Sequence, residues 1–118
     1  MKVGDYVRFD YHKVSVPIQI AKITETHYDS EDDSNCYSTD IGLVIDESNL
    51  VKEPSPEIIN LVQVGDYVNG MQVTRICFDE DGERILNLSN CILELMNEDI
   101  KSIVTKEQFS SMEYKVGE

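Results

Sequence analysis

Apolar and polar positions alternate along this chain over short stretches, each broken by Gly, Asp or Pro. That is the pattern of short, half-buried strands. Ile18-Gln19-Ile20-Ala21-Lys22-Ile23 and Met71-Gln72-Val73-Thr74-Arg75-Ile76 show it most clearly. The pattern predicts strands near 5–9, 18–26, 41–46 and 50–52, then near 66–68, 71–78, 84–89, 92–96 and 102–104. Asp79-Glu80-Asp81-Gly82-Glu83 joins two of them, and Asp81-Gly82 is a strong hairpin signal. Between the two sets, Ser55 reads as a helix cap and Pro56 as the first helical residue. Ile58, Ile59, Leu61 and Val62 are too apolar for a free linker, so a short packed helical turn is predicted there. Thr105-Lys106-Glu107-Gln108 reads as a capping box. It opens a short helix through about Met112, with Phe109 and Met112 as buried contacts, and 113–116 adds an edge strand.

The two sets are copies of one unit. Lys2-Val3-Gly4-Asp5-Tyr6-Val7 returns as Gln63-Val64-Gly65-Asp66-Tyr67-Val68. Gly4 and Gly65 permit a backbone turn that a side chain would hinder, and Asp5 and Asp66 can cap it. Tyr6 and Tyr67 then start a strand, with Val7 and Val68 on the opposite face. Aligning Ile23 with Ile76 removes eight residues from the second copy between its first two strands and three from the acidic stretch after them. Each copy closes with an acidic turn and an apolar strand, Glu47 to Lys52 and Asn97 to Ser102. The expected fold is mainly β: two tandem small barrel units, 1–53 and 63–118, with a linker turn over 54–62 packed between them and a short C-terminal helix. In order and length each unit resembles the Src-homology-3 (SH3) or KOW barrel, a likeness of fold that implies no function.

Charge narrows the partners. The chain of 118 residues carries 23 acids and 10 bases, a net charge of -13. Residues 1–53 hold 11 acids and 5 bases, and residues 54–118 hold 12 and 5, so the field belongs to the whole molecule. Binding along a phosphate backbone needs the opposite balance. No apolar run suits a membrane span or a signal peptide, so a cytoplasmic protein is expected. Three cysteines, Cys36, Cys77 and Cys91, form no Cys-x-x-Cys pair, and His12 and His27 lack a cysteine at ligand spacing. Cys77, in a strand-like run, reads as a small core residue. No metal or cofactor is expected.

The densest acidic run is Asp29-Ser30-Glu31-Asp32-Asp33-Ser34-Asn35. Oxygens at Asp29, Glu31, Asp33 and Asn35 have the spacing of a calcium loop. Ser34 stands where such a loop needs Gly, and no helix pattern flanks it, so a solvated loop is the better reading. The candidate partner-binding residues are Asp29, Glu31, Asp32 and Asp33, then Asp79, Glu80, Asp81 and Glu83. No nucleophile motif accompanies either histidine and no Gly-rich phosphate loop is present, so the residues point away from an enzyme. The six tyrosines could stack on a base, but packing roles account for most.

Asp99-Ile100-Lys101-Ser102-Ile103-Val104-Thr105-Lys106-Glu107-Gln108-Phe109, Met112 to Val116, and Ser55 to Gly70 together resemble a family of small phage and prophage proteins of Firmicutes such as clostridia. The resemblance covers most of 55–116 and the Lys2 to Val7 opening, while 10–45 matches no pattern of the family. It implies an accessory gene of a phage or mobile element and supplies no catalytic residues. The expectation is a non-enzymatic protein that binds a basic surface of a host protein, as an acidic nucleic-acid mimic inhibiting a defence nuclease in the manner of an anti-CRISPR. A nucleotide-sequestering protein and a structural phage adaptor are the alternatives. Direct binding to nucleic acid or membrane is not expected. Self-association through an exposed edge strand is compatible with each.

Overall fold

A computed structural model describes residues 1–12, 16–31, 33–89 and 94–112. Among the described residues the fold is mainly β, with antiparallel sheets of four and five strands, one helix and short 3₁₀ turns. The chain divides into two units, Met1–Leu61 and Val62–Glu118.

In the first unit, β1 (Tyr6–Phe9), β2 (Gln19–Asp29), β3 (Ser34–Thr39) and β4 (Val44–Ile45) pair in sequence order. A 3₁₀ turn, Glu47–Asn49, follows. The chain then returns to β1 through isolated bridges, Phe9 to Leu50 and Tyr6 to Ser55. Val7, Phe9, Ala21, Ile23, Tyr37 and Ile45 form the core. Arg8 lies between two core residues yet is only 1% exposed. Its guanidinium donates to the Leu61 carbonyl at 3.1 Å, so it ties the closing 3₁₀ turn Ile58–Leu61 to β1. A buried cation of this kind is tolerable only with such acceptors.

The second unit repeats the order with β5 (Tyr67–Val68), β6 (Met71–Phe78), β7 (Arg84–Leu88), β8 (Glu94–Leu95) and β9 (Ile103–Val104), which returns to pair with β5. Val68, Val73, Leu86 and Leu88 are buried in it. A 3₁₀ turn, Asn97–Asp99, again precedes the returning strand.

The backbone hydrogen bonds repeat as closely as the sequence. Gly4 N–H donates to Ile23 O and Gly65 N–H to Val73 O, both at 2.9 Å. Lys2 N–H donates to the Asp5 carboxylate at 3.0 Å, and Gln63 N–H to that of Asp66 at 2.7 Å, as the capping reading expected. Both glycines have positive φ, +94° and +100°, where a side chain is strained. A β-bulge follows in each copy, between Ile23 and Glu25 and between Val73 and Arg75. Ile23 therefore matches Val73, not Ile76. The spacing of the copies falls from 61 residues at the glycines to 50 at this point, so the net shortening lies between the first two strands. One further residue is lost in the hairpin and one regained before β4 and β8.

Other expectations are corrected. Strand β3 occupies 34–39, within and beyond the run read as a loop, and only Val44–Ile45 remains of the strand placed at 41–46. Leu50 makes a single bridge instead of a strand over 50–52. Cys77 is half-buried beside Asn87, whose side-chain amide donates to its sulfur at 3.4 Å, instead of lying in the core. Phe109 is exposed on its outer side and stacks on Tyr67, with centroids 4.1 Å apart. The capping box stands: Gln108 N–H donates to Thr105 Oγ1 at 3.1 Å and Thr105 N–H to Gln108 Oε1 at 2.9 Å, opening α1 (Lys106–Met112). Glu57 N–H donates to Ser55 Oγ at 3.1 Å, but the 3₁₀ turn begins only at Ile58. Pro56 is therefore not its first residue, as the sequence led us to expect, and Ser55 is a bridge residue opposite Tyr6. Cys91 and the strand placed at 113–116 lie outside the described residues.

Asp66 is fully buried and accepts from Gln63 N–H and Lys106 N–H, whereas Asp5 is half-buried. Asp66→Ala should therefore cost roughly 2–3 kcal/mol, and Asp5→Ala about 1 kcal/mol or less, because only the first strands donors at a buried site. Urea unfolding of the two variants measures the gap.

Candidate functional site

The two acidic runs occupy the same place in each unit. Asp29 ends β2 and Ser34 begins β3, so Ser30, Glu31 and Asp33 belong to a tight hairpin turn, and Asp32 lies outside the described residues. Asp79, Glu80, Asp81 and Glu83 form the turn between β6 and β7. The first run is thus not one loop. Asn35 stands in β3 opposite Tyr28, in a strand instead of a loop. Among the described residues, no group of three or more His, Cys, Asp or Glu is arranged to hold a metal ion.

Glu31, Asp33, Glu80, Asp81 and Glu83 are exposed. Asp79 is half-buried and has a structural task. Its Oδ1 accepts from Asp81 N–H and Glu83 N–H, both at 2.9 Å, and its own N–H donates to Glu83 O at 2.9 Å. Gly82, at φ +80°, completes the turn. Asp33 holds its turn differently, with φ +48° and a carboxylate that accepts from the Tyr28 hydroxyl. That hydrogen bond to Asp33, with a smaller contribution from desolvation, raises the Tyr28 phenol above its ordinary range. Burial, then the neighbouring Glu47 carboxylate, raises Tyr37.

In the first unit a recess of about 350 Å³ lies between the hairpin turn and the 3₁₀ turn, lined by Asp33, Ser34, Asn35, Asp46, Glu47 and Ser48. Its carboxylates serve the fold: Asp46 accepts from Ser48 N–H at 2.8 Å and from the Ser48 hydroxyl, and Glu47 accepts from Tyr37 at 3.5 Å. Asp46 and Asn49 also form a reciprocal cap, a role the sequence reading did not assign. Asp99 repeats half of it by accepting from Met96 N–H at 2.9 Å.

Sequence reasoning also missed Tyr28 and Phe78 as members of the hairpin ends. They are 62% and 65% exposed and immediately precede Asp29 and Asp79. The available signal was the shared aromatic-Asp pair, which aligning Ile23 with Ile76 hid. Among the described residues no helix is long and apolar enough to cross a membrane. No family model, curated protein or solved structure matches the chain.

Both phenols are raised in the folded chain. The stability they contribute is complete below the ordinary tyrosine range and is lost as pH climbs through their folded values. Following phenolate absorbance, Asp33→Asn should bring one tyrosine titration back down and leave the others in place. Asp79→Ala should cost about 1–2 kcal/mol through two lost acceptor contacts, while Asp79→Asn, which keeps the oxygen, should cost less; thermal melts distinguish them.

Proposed function

We propose that this protein is a non-enzymatic binding protein that docks acidic hairpin turns on a basic surface of a partner protein, in the manner of a nucleic-acid mimic. The observation that carries this reading is positional: the two carboxylate-rich runs fall on the same hairpin of each repeated unit. A scaffold of paired strands fixes those carboxylates, and fixed charges bind a complementary surface with less ordering cost than a mobile acidic tail. Glu31, Asp33, Glu80, Asp81 and Glu83 would supply the contacts, with Asp79 shaping its turn.

Each unit is read as an SH3-like or KOW-like barrel. Support comes from the meander of four strands, the 3₁₀ turn and the return to the first strand. The resemblance of most of 55–116 and the Lys2 to Val7 opening to phage proteins favours a host protein in the cytoplasm as the target, with a nucleic-acid-binding defence nuclease the most concrete case. Nucleotide sequestration is less well supported, since the charge of -13 opposes phosphates.

An affinity pull-down from a clostridial host at low and high salt tests the proposal. It should recover a protein that binds nucleic acid, release it as salt rises, and lose it to competing duplex DNA. The double variant Glu80→Lys, Asp81→Lys should weaken recovery at least roughly tenfold, mainly through steering and close charge pairs. Recovery indifferent to salt and to DNA would refute the mimicry.

A further inference from the structure

We infer that Tyr28 and Phe78 are equivalent recognition elements that stack on arginine side chains of the partner. This rests on the acidic docking reading above and names the chemistry that the hairpin ends select.

The register makes the two rings equivalent. Thr24 and Thr74, each at its bulge, donate their hydroxyls across the hairpin to Ser38 O at 3.3 Å and Asn87 O at 3.2 Å. From there β2 and β6 run in step, so Tyr28 pairs with Asn35 as Phe78 pairs with Arg84. Two residues earlier the partner strands still reach the cores: Tyr37, opposite exposed Thr26, and Leu86, opposite half-buried Ile76, are both buried. The hairpins then extend beyond their cores and leave the rings uncovered.

An isolated exposed aromatic needs no explanation. Here two occur at one position of a duplicated unit, each followed by Asp. The residues just before them have diverged to Thr26-His27 and Ile76-Cys77. Asp33 accepts from the Tyr28 hydroxyl, and Glu80, Asp81 and Glu83 are exposed in the turn that follows Phe78. A ring with carboxylates in the adjoining turn selects its ligand. Its negative face and acidic rim repel phosphate and attract cations. Arginine fits both parts at once, since its planar guanidinium stacks on a ring while its N–H fork meets a carboxylate. Lysine, a compact and strongly hydrated charge, gains less from the ring.

The probes are oligo-arginine and oligo-lysine peptides of equal length, with affinity measured on the full chain at low salt. The wild type should prefer the arginine peptide, by roughly two- to fivefold for each ring engaged. Tyr28→Leu with Phe78→Leu keeps apolar side chains but removes both ring faces. It should abolish the preference while leaving salt-dependent lysine-peptide binding, and each single variant should lose part of it. Phe78→Leu should leave the melting temperature unchanged, whereas Tyr28→Leu gives up the hydroxyl's bond to Asp33 and should lower it slightly; both are checked in parallel. Tyr28→Phe, which loses the bond but keeps the ring, should retain the preference. Absence of the preference in the wild type, or its survival in the double variant, overturns the inference and leaves acidic docking standing. Failure of both peptides to bind overturns both.

Discussion

A carboxylate locked into the turn before the first strand is the constraint on which each unit depends. Gly4 and Gly65 take positive φ, which lets the chain reverse while their own N–H groups donate to Ile23 and Val73 of the second strand. Asp5 and Asp66 then accept the N–H three residues back, while their own carbonyls accept from Ile23 and Val73 at 2.8 and 2.7 Å. One residue thus fixes both the turn and the register of the sheet. In the second unit the lock extends further, since Asp66 also accepts from Lys106 N–H and so joins the turn to the start of α1. Its complete burial makes that joint costly to break.

Register fixed at one end decides what emerges at the other. The bulges after Ile23 and Val73 leave Tyr37 and Leu86 facing the cores, and the next pair along each hairpin lies outside them. The aromatic and acidic residues at the ends are therefore placed by the same hydrogen bonds that fold the sheet. Mutual repulsion among surface carboxylates opposes compactness. The fold meets part of that cost locally by giving Asp79, Asp46 and Asp33 donors of their own. The carboxylates left exposed, such as Glu80 and Asp81, carry the field outward.

Much of this was legible in the chain because it depends on local chemistry. The Gly-Asp turns and the Thr105–Gln108 box are short-range patterns with one good solution. The first hairpin was less legible. Ser34-Asn35-Cys36-Tyr37 is polar at its start and looks like loop, yet it pairs with β2 because Tyr37 and Thr39 are buried on one face. Arg8 could not be foreseen either, since its burial depends on a carbonyl 53 residues away. The acidic runs were found by density alone. Their equivalence appears only once the β-bulges match Ile23 with Val73, a tertiary alignment that apolar spacing misplaced by three residues.

The copies differ most in one connection. Between the first two strands the first unit has a segment from Asp10 to Ile18, while the second turns from Val68 to Met71 through Asn69 and Gly70, both at positive φ. The hairpin ends, by contrast, differ in length by a single residue, with Tyr28-Asp29 answering Phe78-Asp79. Connections that carry only the chain tolerate insertion at small entropic cost. Insertion within the paired strands is different, since one added residue would turn Tyr28 or Phe78 to the other face. The variable connection thus lies where the scaffold tolerates change, and the matched hairpin ends lie where strand register limits it.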